Sequence, residues 1–138
     1  MADAKAIKKR PGGMRLVDAT QYKLPPAGLV SILHRISGLL LLVLMPFVIW
    51  LFDKSVTSEV SFDEFRAAFI GPYGILAKLV TLVLIWAFLQ HFCAGVRHLY
   101  MDFTHSVTKE FGRTSALVAM AVAGLLTLVF AYKLFAGY

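Results

Sequence analysis

The sequence has a single cysteine and little charge, and both shortages limit the kind of protein it can encode. Cys93 lies inside an apolar stretch, so neither a disulfide framework nor a cysteine metal cluster is available. Asp, Glu, Lys and Arg together make up only 16% of the 138 residues, whereas 59% are hydrophobic. Soluble domains carry about 25% charged residues. The composition therefore predicts a chain embedded in lipid.

The net charge of +6 does not indicate a nucleic-acid-binding protein. The basic residues collect in the first 28 residues and near the ends of apolar runs, where they would face anionic lipid headgroups. The segment before the first apolar run contains Asp3 and is not rich in Arg or Ser, so it does not have the pattern of a transit peptide. We therefore expect no nucleic-acid partner, and a bacterial cytoplasmic (inner) membrane in preference to a mitochondrial inner membrane.

Three apolar runs are each long enough to cross a bilayer, which takes about 20 helical residues. They extend over about 29–52, 73–101 and 114–134. Pro46, inside the first run, is expected to kink the helix rather than end it. The sequence therefore predicts an all-α integral membrane protein with three transmembrane helices.

The distribution of Lys and Arg predicts how the chain is oriented. Residues 1–28 form a basic arm, whereas the first loop contains only Lys54 and Arg66. Basic residues are enriched on the cytoplasmic side of membrane proteins. We expect a cytoplasmic N-terminal arm, a three-helix transmembrane anchor domain over 29–138, and a periplasmic C-terminus.

Two further patterns concern local structure and packing. The polar segment between the first two runs is expected to hold a short surface helix, with Ser61 as a cap-like residue. In the third run, Ala119 with Ala123, or Met120 with Gly124, has the small-residue spacing of closely packed helices. The third helix is therefore interpreted as structural.

Polar side chains inside the apolar runs are the candidate functional residues, because each is costly in hydrocarbon without a partner or a ligand. The first and second helices run in opposite directions, so the start of one lies level with the end of the other. Ser31 and Arg35, four apart on one helix face, are therefore expected at a similar depth to Arg97, His98 and Asp102. This arrangement predicts a polar pocket on the cytoplasmic side, suited to an anion or a carbonyl group.

His91 lies apart from this pocket, about 15 Å deeper at roughly 1.5 Å per residue, and so near the middle of the bilayer. Gly95, one turn later on the same face, would leave room for a flat group against the backbone. This suits an axial haem ligand, although a hydrogen bond to a neighbouring helix remains an alternative. His98 is about 10 Å further along and cannot reach the same iron. Since His34 and His105 are expected nearer the surface, a second histidine ligand would come from another chain.

The other polar residues also have purely structural interpretations, which the sequence leaves open. Arg35 and Arg97 could extend to the lipid headgroups, and His98 could form a local pair with Asp102. Ser31 and Ser37 could form hydrogen bonds to the backbone of their own helix.

Two segments carry a resemblance to a known family. The stretch from Ser31 to Gly38, Ser-Ile-Leu-His-Arg-Ile-Ser-Gly, resembles the first signature of the cytochrome b subunit of succinate dehydrogenase, the larger membrane anchor of respiratory complex II. The stretch from His91 to Asp102 has a histidine, three residues, Gly, an aliphatic residue, Arg-His and a terminal Asp, and resembles the second signature. The resemblance extends from about Arg10 to the end of the chain.

The resemblance implies a role for each matching position. His91 matches the axial ligand of haem b, whose other ligand is a histidine of the smaller anchor subunit. Ser31 and Arg35 match positions that line the ubiquinone site. The positions implied at the haem propionate edge are His34, Arg35, Arg97 and His98, and Asp102 is a candidate for proton supply to the quinone.

The function implied is that of a membrane anchor in succinate:quinone oxidoreductase. Succinate would be oxidised on a flavoprotein subunit, and electrons would pass through an iron–sulfur subunit to ubiquinone, so this chain would hold no succinate-oxidising site. Two alternatives remain at this point. One is a haem-free structural anchor of a related quinol:fumarate reductase. The other is a small transporter subunit, for which three helices are few and no inverted repeat is visible.

Overall fold

The computed structural model describes residues 24–136, which form four helices and no strand. The helices are α1 (Pro26–Val56), α2 (Glu59–Ile70), α3 (Gly74–Thr104) and α4 (Lys109–Ala136). Helices α1, α3 and α4 are long and apolar enough to cross a membrane, whereas α2 has only 12 residues. The predicted all-α fold with three spans is confirmed. The predicted basic arm lies outside the described residues as far as residue 23.

The three long helices extend beyond the apolar runs that predicted them. With 31 residues each, α1 and α3 are about 46 Å long at roughly 1.5 Å per residue, against a hydrocarbon thickness of about 30 Å. Hydropathy detects only the turns inside hydrocarbon, so the polar first turn of α4, from Lys109, was missed. Helix α1 begins at Pro26 rather than Leu29 because proline is tolerated in a first turn, where its missing N–H needs no partner. The helix continues through Pro46, as expected.

Helix α2 is held at its start by a reciprocal pair of serines. The Ser61 amide donates to Ser58 Oγ at 3.1 Å, and the Ser58 amide donates to Ser61 Oγ at 2.9 Å. The surface helix was predicted correctly, but its cap is Ser58, and Ser61 is the third helical residue. In a capping box the N-cap residue and the third helical residue both carry polar side chains. A serine at position 61 therefore does not by itself identify the N-cap. Lys54 at the end of α1 also pairs with Glu64 of α2 at 2.7 Å.

Helix α3 packs against both α1 and α4, and small residues make this possible. The buried face of α4 consists of Gly112, Ala116, Ala119 and Ala123. Val30 of α1, Ala94 of α3 and Ala116 of α4 meet in one buried cluster. Short side chains let helix backbones approach closely, which is the main source of packing energy in lipid. The predicted pairing of Ala119 with Ala123 is confirmed, whereas a Cβ at Gly124 would have no neighbour within 4 Å.

The outer surface of the three spans is apolar. Leu42 of α1 and Leu128 of α4 have 70% and 68% of their surface exposed, and many other large hydrophobic side chains on these helices are similarly exposed. Such a surface is costly in water and needs no partner in hydrocarbon. The chain is therefore a membrane protein.

The turn between α2 and α3 allows a direct test of packing. A Cβ at Gly74 would lie 2.9 Å from the carbonyl carbon of Phe69 and closer still to its oxygen. Because these are backbone atoms, Gly74→Ala should force the two helices apart and lower the free energy of unfolding by about 1–3 kcal/mol. The measurement is the thermal midpoint of the purified protein in detergent. Gly124→Ala is the matched control, and equal midpoints for the two variants would contradict this account.

Candidate functional site

Three histidines from α1 and α3 lie together in the membrane-spanning part of the chain. The rings of His34 and His91 are stacked, with centroids 4.0 Å apart and planes 14° from parallel. The ring of His98 lies 5.3 Å from that of His34, at an angle of 59°. We call His34, His91 and His98 the histidine cluster.

The position of His91 along α3 indicates its depth in the membrane. His91 is two residues beyond the middle of α3, Gly74–Thr104, which is about 3 Å along the axis, so its predicted depth agrees with the helix bounds. The His34 ring lies beside that of His91, and its Nε2 faces Gly95, one turn nearer the end of α3. The register between α1 and α3, which cannot be read from either helix alone, brings the two rings together.

The hydrogen bonds of His91 assign the position of its proton. Nδ1 lies 3.1 Å from the backbone carbonyl oxygen of His34 and 3.4 Å from Oγ of Ser37. The Ser37 hydroxyl itself donates to that carbonyl at 2.9 Å, so both oxygens are oriented to accept from Nδ1. The network therefore assigns the proton to Nδ1. Nε2 has no hydrogen bond to the described residues, and in the neutral imidazole it carries the lone pair.

Two glycines bring the helices close to these rings. A Cβ at Gly38 would lie 3.0 Å from Cε1 and 3.2 Å from Nδ1 of His91. A Cβ at Gly95 would lie 3.7 Å from Nε2 of His34. The space expected beside Gly95 is therefore occupied by a flat group of the chain itself, the His34 imidazole.

The histidine cluster does not form a metal site by itself. No group of three or more His, Cys, Asp or Glu side chains converges on a common point anywhere in residues 24–136. The rings of His34 and His91 lie face to face, whereas two ligands of one metal must point their nitrogens at the same atom. His34 and His91 are therefore not placed to bind the same metal ion.

Arg97 is directed away from the histidine cluster. Its Nε donates to Ser115 Oγ at 3.0 Å and its Nη2 donates to the Gly112 carbonyl at 3.1 Å, both on α4. Only 8% of the residue is exposed, so the guanidinium does not extend to the headgroups. Arg97 follows His91 by six residues, about 240° around the helix. The structure therefore does not bring Arg97 together with Ser31 and Arg35.

Ser31, Arg35 and Asp102 are left available to groups outside the chain. Ser31 is half-buried, and Arg35 and Asp102 are exposed. None of the three forms a hydrogen bond or an ion pair with another residue in the described range. Neither a pair of His98 with Asp102 nor a backbone hydrogen bond of Ser31 is therefore present, whereas Ser37 does bond to its own helix.

Sequence reasoning missed the contacts that α1 makes with His91. Ser37 was recognised only as a polar residue at membrane depth, and Gly38 was not considered as a contact. The available signal was that Gly38 follows His34 by four residues and so shares its helix face.

Gln90 is also buried, at 2% exposure, and its Nε2 has no acceptor within residues 24–136.

Comparison with known proteins identifies the family of this chain. The model of the succinate dehydrogenase/fumarate reductase transmembrane subunit family matches residues 8–130. The chain belongs to this family. As a member, it is a membrane anchor subunit of an oxidoreductase complex and not a transporter subunit, so the resemblance seen in the sequence is confirmed.

Two bacterial relatives in this family extend the match over most of the chain. The succinate dehydrogenase cytochrome b556 subunit of Coxiella burnetii is 34% identical over 115 residues, covering 83% of this chain and 88% of that protein. The subunit of the same name from Paracoccus denitrificans is 32% identical over 111 residues, covering 78% and 83%.

The contact of Arg97 with α4 predicts the effect of one substitution. Ser115→Ala should leave Nε of a buried guanidinium without its acceptor, which costs about 1–3 kcal/mol. We expect a lower thermal midpoint for the detergent-solubilised protein. Thr127→Ala serves as the control, because the Thr127 hydroxyl donates only to Ala123 of its own helix. If both variants unfold at the same temperature, the α3–α4 bond does not stabilise the bundle.

Proposed function

We propose that this anchor subunit binds haem b through Nε2 of His91 and helps form the site where ubiquinone is reduced. The observation that carries the proposal is the hydrogen bond from Nδ1 of His91 to the His34 carbonyl. Histidine ligands of metals donate their other ring N–H to such a carbonyl, which fixes the tautomer and makes the ligand more basic. The relatives from Coxiella burnetii and Paracoccus denitrificans are named as cytochrome b556 subunits, in agreement with a b-type haem.

The residues present fit one side of a haem. His91 would hold the haem iron through Nε2, whereas the His34 ring is stacked on the face of the His91 ring. With the two rings face to face, His34 would not bind the same iron. A second histidine ligand would come from the second, smaller anchor subunit. When bound, the haem supplies a one-electron centre whose potential depends on its axial ligands and its burial.

The haem propionates require donors at the edge of the site. His34 and His98 lie next to His91, and Arg35 follows His34 directly with its guanidinium exposed. A guanidinium binds a carboxylate through charge-assisted hydrogen bonds. Arg97, which was also predicted at this edge, would first have to leave Ser115 and Gly112, so His34, Arg35 and His98 are the better supported donors.

Ser31 and Arg35 are proposed to hold the quinone on the cytoplasmic side of the haem. They lie one helical turn apart on α1 and have no other partner in the described chain. The Ser31 hydroxyl would donate to a quinone carbonyl oxygen, and Arg35 would stabilise negative charge that develops there. Asp102 at the end of α3 would supply protons to the reduced quinone from the same side.

The other partners follow from the complex. Electrons from succinate would reach the quinone through a flavoprotein and an iron–sulfur subunit. The location we propose is a bacterial cytoplasmic membrane, with the N-terminus cytoplasmic and the C-terminus periplasmic. The bacterial origin of both relatives supports this location, and the basic residues before α1 support this orientation.

A visible spectrum tests the haem proposal. The purified wild-type complex should show a low-spin b-type spectrum, and His91→Ala should abolish it because the iron loses an axial ligand. His105→Asn is the control, since His105 is exposed at the end of α3 in a left-handed conformation that Asn tolerates. A normal spectrum in His91→Ala would refute the proposal. Wild-type complex without haem would instead favour the structural anchor.

Two activities measured together test the quinone site. Ser31→Ala and Arg35→Ala should slow succinate-dependent ubiquinone reduction by roughly tenfold or more, through loss of hydrogen bonds to the quinone. Succinate oxidation by an artificial dye should continue, because it does not use the membrane site. Ser55→Ala, at the other end of α1, should change neither rate. Equal loss of both activities would mean that Ser31 and Arg35 serve assembly.

A further inference from the structure

We propose that Ser37 and Gly38 of α1 are positioning residues for His91, and that they set the plane of its imidazole and the reduction potential of the haem. We call Ser37, Gly38 and the His34 carbonyl the imidazole seat. The proposal rests on the proposed function, since it assigns neighbours to the ligand that function requires. Neither residue touches the iron in this scheme, because both act through the ring of His91.

Ser37 holds the Nδ1 edge of the ring. The residue is completely buried. Its Oγ lies 2.9 Å from the His34 carbonyl oxygen and 3.4 Å from Nδ1 of His91. A buried hydroxyl in an apolar setting is costly unless it is hydrogen-bonded. Here the hydroxyl donates to the carbonyl and offers its lone pair to Nδ1–H. The proton of His91 therefore has two acceptors on one side.

Gly38 lies against the adjacent edge of the His91 ring. The space that its missing Cβ would fill is bounded by Cε1 and Nδ1 of His91, at 3.0 and 3.2 Å. Real Cβ atoms are rarely found so close to a neighbour, so a side chain at position 38 requires the ring to tilt or move. With the His34 ring stacked at 4.0 Å on one face, the imidazole is fixed at two edges and one face.

This fixation has two measurable consequences for a bound haem. The hydrogen bond at Nδ1 raises the basicity of the imidazole, which alters the reduction potential of the iron. The plane of the imidazole relative to that of the second axial ligand determines the g values in the electron paramagnetic resonance spectrum of low-spin ferric haem. A change in the imidazole seat should therefore alter both quantities while leaving the haem in place.

The first experiment uses the complete purified complex carrying Gly38→Ala. We expect a retained b-type absorption spectrum, a shifted largest g value and a changed midpoint potential. Gly124→Ala is the control, because it adds the same methyl group to a spanning helix where nothing lies within 4 Å. Wild-type g values and potential in Gly38→Ala, with haem bound, would overturn the role of Gly38.

The second experiment uses Ser37→Ala, which removes one oxygen atom and should be tolerated even if Gly38→Ala prevents assembly. We expect a shift in potential and g values that Ser37→Thr restores, because threonine keeps the hydroxyl. Ser55→Ala is the control: Ser55 makes the same type of bond to its own helix, at 2.8 Å to the Phe52 carbonyl, but has no histidine beside it. Unchanged values in Ser37→Ala overturn the role of Ser37. A wild-type complex without haem would refute the proposed function instead.

Discussion

An imidazole near the middle of a bilayer needs an acceptor within the protein, because hydrocarbon provides none for its N–H. His91 meets this constraint through the backbone of a neighbouring helix, where the His34 carbonyl accepts from Nδ1 at 3.1 Å. The bond orients the ring and leaves Nε2 with a free lone pair. The proposed binding of haem depends on this one contact, because the contact determines which nitrogen can reach a metal.

The packing of the three spans can be understood as support for that contact. Helix α3 has two functional faces, one toward α1 and the other toward α4. On the first, Gly38 and Ser37 allow α1 to approach the ring of His91 closely. On the second, Arg97 donates two hydrogen bonds to α4 while its stem is buried. The small residues of α4 bring the helices close enough for both sets of polar contacts, which lipid would otherwise disfavour.

Sequence reasoning reached the properties that depend on one helix at a time. Hydropathy predicted three spans, small-residue spacing predicted the buried pair Ala119 and Ala123, and counting residues along α3 placed His91 near mid-depth. Properties that depend on two helices were not accessible in this way. The stacking of His34 on His91 depends on the register of α1 against α3, and the direction of Arg97 depends on where α4 packs.

The ends of the helices could not be predicted from the sequence either, for a different reason. The first turn of α4, from Lys109, is helical but polar, and a hydropathy pattern ends where the hydrocarbon ends. The proposed roles of Ser31, Arg35 and Asp102 depend on molecules outside the chain. The structure shows that these side chains are available, and their ligands are inferred from family membership and from chemistry.

Under the proposed function, His91 presents Nε2 to a haem while Nδ1 stays bonded to the His34 carbonyl. The most direct measurement is an experimental density map of the whole complex in a lipid bilayer mimic, at a resolution that defines the ring. We expect a porphyrin iron bonded to Nε2 and a second histidine ligand from the other anchor subunit. A His91 ring in contact only with side chains, or an iron bonded through Nδ1, would contradict it.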